Sequence, residues 1–251
     1  MAMQLDAIVP FGRSLDEYRR LFALSSEDLG KRIVSIADGP ASFNAEMVGR
    51  GGFVTSVDPL YAYDGVDIKR RFDVVVDSII DQVRATPADW VWSYHRSPEH
   101  LRTSRRQALQ GFLVDYDSGR RDGRYVAGEL PRLEYPDSAF ELALCSHFLF
   151  LYSAHLSYEF HKASVIEMLR VAAEVRIFPL LTLDLQGSPY LVPLASDIRA
   201  LGYAADVEEV HMSSSGPDAT CCGSVRCRYD EWLAVWAYAE PIVLIYTGRH
   251  R

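Results

Sequence analysis

The chain has 251 residues, 49% of them hydrophobic, and a formal net charge of −8. That is enough apolar material for one sizeable core, and the acidic balance excludes the general attraction to phosphate backbones on which nucleic-acid binding normally rests. No apolar run approaches the ~20 residues of a membrane span, and residues 1–10 lack a basic start followed by an apolar core, so a cytoplasmic protein is expected.

Ser14-Leu-Asp-Glu17 fits a capping box, and Leu15, Tyr18, Leu21 and Phe22 share one helical face, which predicts a short N-terminal helix. An apolar strand beginning at Arg32 leads to a tight turn through Gly39, a run of small and apolar residues, and a second strand, Phe53-Val-Thr-Ser-Val57, that ends on Asp58. This is the order of a βαβ nucleotide-binding unit. Gly39 lets the backbone approach a ligand, and Asp58 can accept hydrogen bonds from both hydroxyls of a ribose, so the unit predicts a nucleoside site. With one glycine in the turn instead of three, the pyrophosphate of NAD or FAD is not expected.

Residues 65–85 read as a helix with Phe72, Val76, Ile79, Ile80 and Val83 inward, and 97–116 as a second, started by Ser97-Pro98-Glu99. Between them lies Trp90-Val-Trp-Ser-Tyr-His-Arg96. Trp92 and Tyr94 can stack on a planar acceptor and Arg96 can hold a carboxylate, while alternation puts Trp90, Trp92 and Tyr94 on one face of an extended segment, which slightly favours a packing role for each taken singly. The basic groups near Lys69, Arg102 and Arg120 are interspersed with acids and read as solvated faces.

Tyr125 to Leu130 reads as the third strand, Pro131 to Ser138 as a loop, Phe140 to Leu144 as the fourth strand, Leu156 to Ala173 as a helix and Glu174 to Leu181 as the fifth strand. The loop after the fourth strand is where an open α/β sheet places reacting groups, which makes Ser146, His147 and Tyr152 the candidates for chemistry. His147 suits a general base, or equally a structurally bonded strand-end histidine. The four cysteines form no paired C-x-x-C motif, so neither a metal nor a disulfide is expected. Beyond His211 the pattern loses any period, and the last strand is expected at Ile242 to Tyr246.

Three stretches carry a resemblance: Val34-Ser-Ile-Ala-Asp-Gly-Pro-Ala-Ser-Phe43, Val57-Asp-Pro-Leu-Tyr61 and Phe140-Glu-Leu-Ala-Leu-Cys-Ser-His147. Over residues 30 to 205 the chain resembles a class I S-adenosylmethionine-dependent methyltransferase. Phe11 to Tyr18 and Leu144 to Ser153 look like a bacterial subgroup without an assigned substrate. The resemblance implies a Rossmann-like three-layer α/β sandwich with a mostly parallel sheet, a helical lid inserted at about 65–120, and S-adenosylmethionine as cofactor. It implies cofactor contacts from Ser35, Asp38, Gly39, Pro40, Asp58, Pro59 and Cys145, an adenine contact from Glu129, and a methionine-carboxylate contact from Arg13, with Tyr18 beside it. The positions of the family's strand-end acid and spaced glycines read Ser35, Ala37, Gly39 and Ala41, leaving one glycine of three. The expected activity is methylation of a small molecule at oxygen or nitrogen, with a cofactor-binding protein lacking turnover as the alternative.

Overall fold

The computed structural model describes residues 9–87, 90, 92–209, 226–227 and 242–249. Ser14 caps α1 (Leu15–Leu21) through the expected capping box: its side chain accepts from the Glu17 N–H, and the Glu17 carboxylate accepts from the Ser14 N–H. Strands β1 (Arg32–Ile36) and β2 (Phe53–Val57) flank the short helix α2 (Phe43–Val48). Helices α3 (Gly65–Ala85) and α4 (Pro98–Arg121) follow, and α4 runs five residues beyond the end expected from its apolar periodicity.

Strand β3 (Tyr125–Val126) is far shorter than Tyr125 to Leu130, because the chain leaves the sheet edge after Val126. Then come β4 (Phe140–Ser146), α5 (Tyr158–Val171), β5 (Ala172–Phe178), α6 (Leu191–Ala200), β6 (Tyr203–Glu209), β7 (Arg226–Cys227) and β8 (Ile242–Arg249). The fifth strand thus starts two residues before Glu174 and stops at Phe178, and Ala172 belongs to it instead of closing the helix. The irregular tail expected beyond His211 lies outside the described residues, apart from β7 and β8.

The sheet order is β3-β2-β1-β4-β5-β8-β6-β7. Strands β1 to β5 are parallel, and β8 runs antiparallel between β5 and β6. Alternate residues of each central strand enter opposite cores. Ile33, Leu142 and Leu144 join α1 and α2, whereas Val34, Ile36, Ala143 and Cys145 join α5 and α6. A sheet covered on both faces explains why these strands read as continuous apolar runs. The fold is a Rossmann-like, three-layer α/β sandwich with a mostly parallel sheet.

The helical pair between β2 and β3 departs from a simple lid. Helix α4 packs against α2 and β3, within the helical layer, and α3 packs on α4. Together they bury a cluster of their own, including Ile68, Phe72, Val76, Leu109 and Phe112, which Tyr61 and Tyr125 tie to the sheet. The segment expected as a lid at about 65–120 is thus a helical pair with an apolar cluster of its own.

Candidate functional site

The site is built at the carboxyl ends of β1, β2 and β4, where the strand order reverses around β1. After β1 the backbone turns through Ala37 and Gly39, both at φ +56°. Glycine reaches this left-handed region freely, whereas Ala37 pays a steric cost there. The Gly39 N–H donates to Asp58 Oδ2 at 3.0 Å, and Asp58 Oδ1 accepts from the Leu60 N–H at 2.8 Å. Asp58 thereby caps a 3₁₀ turn, Pro59–Ala62, with Pro59 opening it. Each carboxylate oxygen keeps further acceptor capacity for a ligand. Burial raises the Asp58 pKa against the pull of those two N–H donors.

Asp38 lies beneath the same turn. It is buried, with Ser56 Oγ 2.8 Å from Oδ2 and the Tyr61 hydroxyl 2.8 Å from Oδ1. Burial, and then the neighbouring Asp58 charge, raise its pKa to about 7. Ser35, near the carboxyl end of β1, is fully buried and hydrogen-bonds the Tyr18 hydroxyl at 3.2 Å.

Residues 9–13 form a strap across the turn. A Cβ at Gly12 would fall 2.1 Å from the Pro40 carbonyl carbon, so only glycine allows this approach. The strap is held by the Val9 N–H, which donates to the Tyr152 hydroxyl at 3.4 Å, and by Phe11, whose ring lies 5.4 Å from that of Phe72. It delivers Arg13, whose guanidinium donates to the Phe11 carbonyl at 2.9 Å. Among the described residues Arg13 forms no ion pair. Burial and then the Arg105 charge push its pKa down to about 9, so it remains a cation at neutral pH.

Beyond β4, His147 adopts φ +52°, an uncommon conformation for a non-glycine residue, and its N–H donates to the Phe178 carbonyl at 2.6 Å. Its Nδ1 lies 3.0 Å from Ser146 Oγ. Burial, then the charges of Arg13 and Arg105, hold the imidazole well below its usual range, so it is neutral at pH 7. The tautomer that donates from Nδ1 to Ser146 leaves Nε2 free to take a proton. The structure thus brings Arg13, Tyr18, Ser35, Ser146, His147 and Tyr152 into one neighbourhood beside the Gly39 turn.

Other candidates lie elsewhere or are already engaged. Cys145 is wholly buried in the core under α5, and burial raises its thiol to about 12. Glu129 is exposed on the loop beyond β3. Trp92 packs on the α3–α4 cluster, with its indole N–H donating to the Pro87 carbonyl at 3.0 Å. Tyr94 donates to Asp16 at 2.9 Å, pinning the segment to α1, and Arg96 is exposed.

Sequence reasoning missed a buried charge cluster behind Arg13. Arg105 makes a bidentate pair with Glu17, at 2.9 and 2.7 Å, and Nε2 of His95 lies 3.2 Å from both. The available signal was Arg105 standing in the apolar stripe of α4, four residues after Leu101 and four before Leu109. Asn44 was missed as well: wholly buried, it donates to the Val54 and Arg124 carbonyls and to Ser56, fixing α2 to the ends of β2 and β3.

No protein-family model matches the chain. The uncharacterized protein MJ0045 of Methanocaldococcus jannaschii is 30% identical over 207 residues, spanning 82% of this chain and 93% of the relative. The chain belongs to the family of that protein. Among solved structures, a SAM-dependent methyltransferase of Methanosarcina mazei is 12% identical with a TM-score of 0.41, covering 89% of this chain and 94% of that one. The magnesium protoporphyrin IX methyltransferase of Synechocystis, solved with bound SAM, is 11% identical with a TM-score of 0.43, covering 93% and 78%. At these identities and scores neither adds an argument about activity, and the fold stands on its strand order.

Proposed function

We propose that the protein binds S-adenosylmethionine and transfers its methyl group to an oxygen or nitrogen of a small-molecule acceptor. The observation that carries this reading is the pairing of an acid at the end of β2, held against the Gly39 turn, with a cation, Arg13, that the strap delivers and that forms no ion pair among the described residues. The donor set suits the cofactor's two polar ends: Asp58 accepts from a ribose diol, and Arg13 meets a carboxylate. Bound there, the cofactor supplies an electrophilic methyl group.

The chain's own residues then have limited work, since methyl transfer to a good nucleophile needs chiefly proximity and alignment. Neutral His147 accepts the acceptor's proton at Nε2, and Ser146 orients its ring. The strap and α1 cover the turn and restrict water. The α3–α4 hairpin, joined to α1 through Tyr94, flanks the acceptor's approach, and exposed Arg96 selects among acidic acceptors. The overall negative charge favours a small molecule over a nucleic acid.

A second reading, cofactor binding without turnover, is favoured by Ser35 in the acid position and by Ala37 in a conformation that suits glycine. Incubation with a metabolite extract and a labelled methyl donor separates the two. Formation of S-adenosylhomocysteine supports transfer, whereas thermal stabilisation by cofactor without product supports binding alone.

A further inference from the structure

The buried polar network under the cofactor turn has one proton too few if Asp38 is ionised. The Tyr61 hydroxyl has a single hydrogen, yet it lies 2.8 Å from Asp38 Oδ1 and 2.6 Å from the Gly39 carbonyl oxygen. A carboxylate at 38 and the Gly39 carbonyl would both be acceptors facing one donor. On the other side Ser56 Oγ–H has Asp38 Oδ2 as its acceptor at 2.8 Å, because its other polar neighbour, Asn44 Nδ2 at 3.1 Å, can only donate. Oδ1 is therefore the atom on which a further proton completes the network.

We propose that Asp38 is a positioning residue that works as a neutral acid: its Oδ1–H donates to the Tyr61 oxygen, and Tyr61 in turn donates to the Gly39 carbonyl, locking the turn that receives the cofactor. The chain of donors then runs in one direction, from Ser56 through Asp38 and Tyr61 to Gly39, whose carbonyl also accepts from the Ala41 N–H at 2.9 Å, and each of the two short contacts of the Tyr61 oxygen has a hydrogen of its own. The other groups facing Asp38 leave it no compensation for a negative charge. They are Asp58 from β2, Tyr18 from α1, Tyr61 itself, Tyr125 from β3 and Cys145 from β4, together with Ser35, and no ion pair to Asp38 occurs among the described residues. The raised pKa of about 7 accords with this count. An ionised Asp38 would repel Asp58, which holds the Gly39 N–H, and would compete with the Gly39 carbonyl for the Tyr61 hydrogen. The side-chain contacts to the Gly39 N–H and to the Gly39 carbonyl would weaken together.

The proton assignment stands on the hydrogen-bond count alone, and only its consequence for the cofactor rests on the proposed function. The test compares wild type with Asp38→Asn, whose amide donates to Tyr61 and accepts from Ser56 without titrating. A group with a pKa of 3.8 unfolded and about 7 folded contributes stability that is full below the unfolded value and is lost as pH rises through the folded one. Wild type should therefore fall behind Asp38→Asn by roughly 5 °C or more in melting temperature between about pH 4 and pH 7, with the gap levelling above that. In wild type, affinity for S-adenosylhomocysteine should drop more than about tenfold from pH 6 to pH 9, as the competent neutral fraction shrinks, with no such drop in Asp38→Asn. In the infrared difference spectrum of wild type minus Asp38→Asn at about pH 5.5, the carbonyl band of one protonated carboxylic acid should be present.

Parallel melting profiles, absence of that band, or an affinity that rises with pH in wild type would overturn the proposal, the last because it would mean that Asp38 serves as an anion. Failure of Asp38→Asn to fold would also overturn it, since the amide preserves the neutral network. If wild type binds no S-adenosylhomocysteine at any pH, the cofactor reading fails, while the melting and infrared results still decide the state of Asp38.

Discussion

The Gly39 N–H donates to Asp58 Oδ2 at 3.0 Å, so the turn after β1 and the acid ending β2 form one hydrogen-bonded unit. A carboxylate tied to the backbone in this way is fixed in direction before any ligand arrives. That preorganisation lowers the ordering cost of binding.

Arg13 and Asp58 are assigned to opposite ends of one ligand. Arg13→Ala should weaken S-adenosylhomocysteine roughly 10- to 150-fold, the loss of a charge-assisted hydrogen bond of about 1.5–3 kcal/mol. Adenosine, which lacks the amino-acid end, should bind wild type and variant alike in competition titrations. An equal loss for both ligands would place Arg13 at the nucleoside instead.

His147→Ala should lower turnover by roughly 10² if the imidazole removes a proton. Because burial and the charges of Arg13 and Arg105 hold the imidazole pKa well below its usual range, the wild-type rate should stay level as pH falls from 7 through 6.5 and decline only in more acid solution. A rate that halves near the ordinary histidine pKa would show that the imidazole is not in the environment described. Unchanged turnover in the variant would leave His147 a structural residue.

The Glu17–Arg105 pair is nearly inaccessible to solvent, with side chains 3% and 5% exposed. Arg105→Ala leaves a buried carboxylate without its partner and should cost about 3–5 kcal/mol in chemical denaturation. Glu17→Gln in the same background should recover part of that loss, because the two residues act as a unit. Strictly additive losses would argue against the coupling.

Ala37→Gly relieves a left-handed strain of about 1–2 kcal/mol, partly offset by the greater freedom of glycine in the unfolded chain, about 0.4–1 kcal/mol. A net gain of roughly 0.5–1 kcal/mol is expected by urea denaturation. A destabilised variant would contradict the backbone conformation at this position.

Much of the fold was legible because its signals are local. The capping box at Ser14 and Glu17, the proline start at Pro98 and the apolar run from Ile33 each need only a few neighbouring residues to be read. The β2 carboxylate was legible for the same reason, since its spacing from Gly39 is set by one short helix and one strand. What failed depends on contacts distant in sequence. Strand β3 stops at Val126 because its neighbour β2 offers pairing only as far as Val57. Glu17 disclosed its capping role but not its partner Arg105, which arrives from α4. The resemblance gave Asp38 as a cofactor contact, yet its carboxyl is engaged beneath the turn by the hydroxyls of Ser56 and Tyr61. No pattern along the chain encodes that direction.

The central claim is that Asp58 and the Gly39 turn receive the nucleoside of S-adenosylmethionine. Isothermal titration of S-adenosylhomocysteine into wild type and Asp58→Ala tests it without knowledge of the acceptor. The account predicts saturable binding to wild type, and binding roughly 10- to 150-fold weaker in a variant that remains folded, corresponding to about 1.5–3 kcal/mol of lost hydrogen bonding. Equal affinity in the two proteins, or no binding to wild type, would contradict it.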